Sequence, residues 1–170
     1  MKCAFCKSSN TVPFVNLGYT PFSNAIIQKK DSSSPESNYP LEVQVCLKCK
    51  LVHNKYLIPA NALFKNDYSY FSSYSTSFLK HSSEFASEMI NDLNLDSKSF
   101  VIELASNDGY LLQYFKKNKI PCLGIEPTKS TASIAIKKGI RVINDFFSFN
   151  FSNKIKKKYK SPDLIVANNV

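Results

Sequence analysis

The spacing of apolar and polar residues changes rhythm along the chain. From residue 98 onward, short apolar runs alternate with longer amphipathic ones. Ser99–Leu104, Cys122–Glu126, Ile140–Ile143 and Asp163–Ala167 read as strands. Tyr110–Lys117 and Ser130–Lys138 read as helices, the second closed by Gly139 at a C-terminal capping position. Short apolar strands separated by helices predict a parallel sheet covered on both faces. Upstream, Phe78, Leu79, Phe85, Ala86, Met89, Ile90 and Leu93 recur at helical spacing and predict a helix whose stripe packs into a core. The stretch from Met1 to Ala60 offers only short strand-like runs: Thr11–Val15, the alternating Leu41–Val45, and Leu51–Tyr56. Between them, Asp31–Asn38 is a polar loop without apolar anchors.

Cysteines explain how so small a first lobe holds together. Cys3/Cys6 and Cys46/Cys49 form two Cys-x-x-Cys knuckles, set far apart in the chain. That pattern suits one tetrahedral zinc site. Two disulfides would need an oxidising compartment, and a redox motif does not explain two copies. Four cysteines complete the shell, so His53 reads as a strand residue and the zinc as structural. Cys122 reads as a small buried residue.

The chain has 170 residues and a formal net charge of +9, with 22 basic and 13 acidic residues. Only Arg141 among the basic residues is arginine. Arginine's planar fork is what base edges and phosphates favour, so the composition argues against nucleic acid and the lysine content reads as a compositional habit. No apolar run reaches membrane-spanning length, and the N-terminus lacks the apolar stretch of a secretory signal. A cytoplasmic location is the default expectation.

In an open parallel sheet, ligands lie at the carboxyl ends of the strands. The first strand ends in Glu103-Leu104-Ala105-Ser106-Asn107-Asp108-Gly109-Tyr110, a tight turn of small residues lacking the Gly-x-Gly-x-x-Gly of dinucleotide sites. The second ends in Glu126-Pro127, where an acid can accept from ribose hydroxyls. The third is followed by Asp145-Phe146, an acid and a ring suited to adenine, and the fourth ends in Asn168-Asn169 at the floor of the same crevice. A ribose, an adenine and no phosphate describe S-adenosylmethionine.

These residues carry a resemblance. Glu103-x-Ala105-x-Asn107-x-Gly109 is similar to the Glu-x-Gly-x-Gly-x-Gly motif of class I methyltransferases, with departures at 105 and 107. Beyond that motif, the two knuckles, Leu17–Asn24, Tyr39-Pro40-Leu41, Cys49–Val52, Tyr68–Ser73, Ala105–Tyr110 and Gly124–Pro127 resemble, in that order, the zinc-containing sugar C-methyltransferases that act on nucleotide-linked ketodeoxysugars. The resemblance covers nearly the whole chain. It implies an α/β fold: a four-cysteine zinc ribbon over 1–60, a helical connector over 61–95, and a partial class I methyltransferase (Rossmann-like) sheet over 96–170. It implies Zn²⁺ at Cys3, Cys6, Cys46 and Cys49, S-adenosylmethionine as cofactor and a nucleotide sugar as partner. The implied cofactor residues are Tyr68, Ser72, Glu103, Ala105, Ser106, Asn107, Asp108, Gly109, Tyr110, Glu126, Pro127, Asp145, Phe146 and Asn168. The expected catalytic base lies beyond Val170, so the chain reads as an N-terminal fragment, silent alone, of an enzyme expected to be a monomer.

Alternatives stand beside this. A zinc-ribbon methyltransferase acting on RNA would use Lys154–Lys160 as a phosphate patch, although a solvated helix end or loop is the usual explanation of such a run. A non-catalytic zinc-ribbon module would leave the sheet empty. The tyrosines of Tyr68–Ser75 either cover the methionine end of the cofactor or pack an interdomain seam. His81 has no acidic partner nearby in sequence, a poor setting for a general base.

Overall fold

The computed structural model describes residues 2–27, 29, 33, 35–64 and 68–170. Asp31, Ser32 and Ser34 of the expected polar loop, and Asp67 beside the tyrosine–serine segment, lie outside the described residues. The chain divides into two compact units, Met1–Leu63 and Phe64–Val170.

The first unit is an antiparallel sheet in the order β1-β2-β3, formed by β1 (Thr11–Thr20), β2 (Tyr39–Cys46) and β3 (Val52–Asn54), followed by the short α1 (Ala60–Leu63). β1 is exposed along nearly all of its length. It extends well beyond the Thr11–Val15 read from the sequence, because pairing with β2 through Thr20↔Tyr39 holds it where no apolar face marks it. Phe22 stacks on Tyr39, centroids 3.9 Å apart, at the far end of this ladder. His53 sits on β3: its Nδ1 faces the Asn54 carbonyl oxygen at 2.8 Å and its Nε2 faces the Gln44 amide nitrogen at 3.3 Å.

The second unit is built on a four-stranded parallel sheet of β4 (Val101–Leu104), β5 (Cys122–Ile125), β6 (Val142–Ile143) and β7 (Leu164–Ala167). The strand order is β6-β5-β4-β7. The helices are α2 (Thr76–Asp92), α3 (Leu112–Lys117), α4 (Lys129–Lys137) and α5 (Phe149–Lys158). Successive strand residues serve opposite faces, as the pleat requires. Val101 and Val166 join Leu111, Phe115, Ala135 and Ile140 in one core, with Phe78, Leu79, Phe85 and Met89 of α2 packed against it. Ile102, Leu123 and Ile125 join Phe151 and Ile155 of α5 in the other. The alternation of strand and helix read from the sequence is present, with each strand trimmed to the residues that pair.

α5 is not evident in the sequence. Its inner face is Phe151 and Ile155, one turn apart among polar residues, and Ser148 caps it by accepting from the Phe151 N–H. The Lys154–Lys160 run is its C-terminal half and exit, where cations complement the helix dipole. Lys160 is further tied to the Lys98 carbonyl and lies 3.6 Å from Asp163. Cys122 is half-buried rather than buried, its sulfur toward the Leu112 carbonyl at 3.8 Å. Burial pushes its thiol up to about 11. No helix among the described residues is long and apolar enough to cross a membrane.

Gly124 of β5 lets the turn after β4 lie flat on the sheet. A Cβ there would stand 2.3 Å from Ser106 Oγ and 2.9 Å from Ser106 Cβ. Gly124→Ala is therefore expected to cost about 1–3 kcal/mol by overpacking. Adding Ser106→Gly should recover most of it. Urea unfolding followed by circular dichroism reads both; an unperturbed Gly124→Ala would contradict the close approach.

Candidate functional site

The metal centre is built from two knuckles of the same shape. In each Cys-x-x-Cys-Lys run the lysine takes left-handed backbone, φ +59° at Lys7 and +65° at Lys50. Its N–H returns to the first cysteine's carbonyl: Lys7 to Cys3 at 3.2 Å and Lys50 to Cys46 at 2.8 Å. The lysine ammoniums close the same turns on the Ala4 and Leu47 carbonyls. The four sulfurs lie within 4.8 Å of one another, with Cys3–Cys49 at 3.7 Å and Cys6–Cys46 at 3.5 Å. A tetrahedron with Zn–S bonds of about 2.3 Å has edges of about 3.8 Å, and a disulfide needs about 2.05 Å. The donor set fits zinc. The Cys49 N–H, 3.5 Å from Cys46 Sγ, helps lower that thiol to about 6, toward the ligating thiolate form. These four residues are the ones that would hold a zinc ion in the first unit. Cys46→Ser is expected to drop bound zinc well below one ion per chain by metal analysis. It should also melt the β1–β3 sheet, since structural zinc contributes roughly 10–16 kcal/mol in apparent terms to such lobes.

The second candidate site lies at the carboxyl edge of the parallel sheet. The chain runs β4, β5, β6 in one direction and returns to place β7 on the far side of β4. The sheet therefore has its switch point between β4 and β7, where open α/β sheets bind ligands. Two adjoining clefts of about 260 and 420 Å³ open there, sharing Phe78, His81 and Asn169. Asn168 and Leu111 line the deeper one; Tyr70, Ser75 and Ser77 line the other. Phe78 stacks on Tyr110 at 4.9 Å and against His81 at 6.3 Å, while Asn168 donates to the Tyr110 hydroxyl at 3.1 Å.

The turn after β4 has an alternating backbone. Ala105, Asn107 and Gly109 all take left-handed φ, at +51°, +48° and +76°. Glycine enters that region without penalty, asparagine tolerates it, and alanine is strained. The two departures from the glycine motif thus keep the backbone shape that glycine would serve. Gly109 is also sterically fixed: a Cβ would meet Ile140 Cδ1 at 2.3 Å.

The acids named from the sequence occupy different settings. Glu126 is buried, and its two oxygens accept from the Asn107 N–H at 2.9 Å and the Thr128 N–H at 2.8 Å. Its carbonyl accepts from the Asn144 amide at 2.7 Å, which draws in the end of β6. Asp145 and Phe146 follow Asn144 and are exposed, Asp145 accepting from the Phe146 N–H. Pro127 is half-buried. Asp108 has no exposed surface; it receives the Ser73 hydroxyl and lies 3.4 Å from the Lys138 ammonium. Ser106 is also fully buried, its Oγ without a partner among the described residues. The structure brings Glu103, Asp108 and Glu126 into one electrostatic neighbourhood and Tyr110 with Asn168. Neither cleft is lined by Glu126, Asp145 or Phe146. Tyr68 offers its carbonyl to Ser130, and Ser72 its N–H to Asn107.

Tyr70 and Ser75 fall in the Tyr68–Ser75 segment that sequence reasoning offered as a cofactor cover; it missed Ser77 and Ser82 as cleft residues and read Phe78 and Phe85 as core alone. The useful signal was the helix that precedes the first strand of the parallel sheet: its stripe is wide enough to serve both core and cleft. Lys138 and Asn144 carry no local signal at all.

Glu103 is fully enclosed, and neither carboxylate oxygen has a hydrogen-bond partner among the described residues. Burial pushes its carboxyl well above the usual range; the Tyr110 hydroxyl opposes this, and the charges of Glu126 and Asp108 add to it. An acid with a raised folded pKa contributes fully below the ordinary carboxylate range, and that contribution is lost as pH rises toward the folded value. Glu103→Gln is expected to melt above the parent chain at pH 8, with the gap shrinking toward pH 5. A gap independent of pH would contradict this.

Comparison with known proteins follows this division. Residues 3–64 match the family model described as "Putative zinc binding domain". "C-methyltransferase NovU" of Streptomyces niveus is 25% identical over 164 residues, covering 96% of this chain and 39% of that protein. This chain thus spans well under half the length of that relative. A solved structure, "Crystal structure of MccD protein", is 22% identical, matches 48% of this chain and 29% of that one, and superposes with a TM-score of 0.27. Residues 3–64, with their four-cysteine cluster, thus match a zinc-binding domain, and the chain along nearly its whole length is similar to a C-methyltransferase.

Proposed function

We propose that this chain is the zinc domain and cofactor-binding part of an S-adenosylmethionine-dependent C-methyltransferase acting on a nucleotide-linked ketodeoxysugar. The observation that carries the reading is the left-handed backbone at 105, 107 and 109 on a β6-β5-β4-β7 parallel sheet. The turn keeps left-handed backbone at the three positions that align with glycines in the methyltransferase motif it resembles. The match to a C-methyltransferase supports the reaction type, and the motif resemblance supports the sugar.

In the reaction, a base removes a proton alpha to the acceptor's ketone. S-adenosylmethionine, when bound, would supply the methyl that the resulting enolate carbon accepts, with the neutral thioether S-adenosylhomocysteine as the other product. This chain's share is to hold donor and acceptor in line. The backbone of the turn after β4 and Glu126 would hold the adenosyl group, Asp145 and Phe146 would flank the adenine, and the clefts at the end of β7 would receive the reacting groups. The zinc, with four thiolates around it, has no open position for substrate and keeps its role to structure.

Asp145 and Phe146 are exposed, so their removal tests the site without unfolding it. Calorimetry of the zinc-loaded chain with S-adenosylhomocysteine should show one site. Phe146→Ala should weaken it about tenfold or more at unchanged melting temperature, the scale of a lost base–aromatic stack. No heat from the zinc-loaded parent chain overturns the reading.

A further inference from the structure

The segment Tyr68–Tyr74 is fastened to the sheet's carboxyl edge by hydrogen bonds that come mainly from two residues of the turn after β4. Asn107 uses both ends of its side chain. Its Nδ2 donates to the Tyr70 carbonyl at 3.0 Å, and its Oδ1 accepts from the Ser72 N–H at 2.9 Å and from the Asp108 N–H at 2.9 Å. Asp108 receives the Ser73 hydroxyl. It is steadied from below by Lys138, whose ammonium lies 2.9 Å from the Asp108 carbonyl and 3.4 Å from its carboxylate. Ser130 adds a bond to the Tyr68 carbonyl at 2.9 Å. The fastened segment leads straight into the wall of the outer cleft, to which it contributes Tyr70, with Ser75 just beyond.

We infer that Asn107 and Asp108 are positioning residues. Their side chains latch segment 68–74 and thereby set the Tyr70 wall of the cleft that receives the ligand. A glycine at 107 would satisfy the left-handed backbone better than asparagine does. What asparagine adds is the amide that grips Tyr70 and Ser72. The Asn107 side chain is what joins the turn after β4 to the cleft wall. Asn107 and Asp108 therefore act through the segment they hold. The inference rests on the cofactor reading for the identity of the ligand and on geometry alone for the latch.

Asn107→Gly separates these roles, because it keeps or relieves the backbone and deletes only the amide. The parent chain, Asn107→Gly, Asn107→Asp and Ser130→Ala are compared in three measurements: melting temperature, amide hydrogen exchange at Ser72, and the Kd for S-adenosylhomocysteine. Asn107→Gly is expected to melt no lower than the parent, to exchange at Ser72 about tenfold faster or more, and to bind about fivefold more weakly or worse. Asn107→Asp keeps the acceptor for Ser72 but loses the donor to Tyr70, so it should fall between. Ser130→Ala, which leaves the motif turn alone, should change exchange least. Unchanged exchange at Ser72 in Asn107→Gly overturns the latch. Faster exchange with unchanged affinity overturns the positioning role. If the parent chain takes up no S-adenosylhomocysteine, the cofactor reading fails and, with it, the role in setting that ligand's wall; the exchange measurement still decides the latch.

Discussion

Two backbone N–H groups, from Asn107 and Thr128, end on the two oxygens of one buried carboxylate, and a third connection leaves the same residue through its carbonyl toward Asn144. Glu126 thus joins the loops that follow β4, β5 and β6 at a single point. A buried carboxylate is costly unless it is well supplied with donors. Here the donors are backbone amides of the very loops that need a fixed shape, so the cost of burying the charge and the need for order are met by the same bonds. The strained φ at Ala105, the turn at Asn107 and the start of α4 after Thr128 are all fixed close to that joint.

The neighbourhood is acidic. Glu103, Asp108 and Glu126 sit close enough to influence one another, and Lys138 is the cation that answers Asp108. The acids divide the task by environment. Glu126 takes backbone amides, Asp108 takes a hydroxyl and an ammonium, and Glu103, whose burial outweighs the nearby Tyr110 hydroxyl, is driven toward its neutral form. The first unit solves a different problem by similar means. It has little core, and its long first strand is exposed, so order there depends on thiolates brought together by two turns of the same shape.

Those differences explain what could be read in advance. The four cysteines were legible because metal ligation writes its spacing into a few adjacent residues. The parallel sheet was legible because strands buried on both faces become unbroken apolar runs such as Leu164–Ala167. β1 was only half legible: a strand exposed on both faces, Val12 to Tyr19, shows no period to detect. α5 was missed because Phe151 and Ile155 are its whole apolar signature. At the carboxyl edge, the motif residues were identifiable, but the direction of their side chains was not. Asn107 and Asp108 turn toward a segment far upstream in the chain, at Ser72 and Ser73, and no local pattern encodes so distant a partner. Phe78 and Phe85 were hidden for the opposite reason: a core stripe on α2 also lines an opening.

The order of strands has a consequence for how the molecule assembles. β4, β5 and β6 are joined by short crossovers and can meet early. β7 must come back past β5, β6 and the helices between them to pair Leu164 with Val101. Closing so long a loop is entropically unfavourable and kinetically late. The clefts have one wall at the end of β7, so they come into being only at that last step. Nascent chains that have already built three strands would still lack these two clefts.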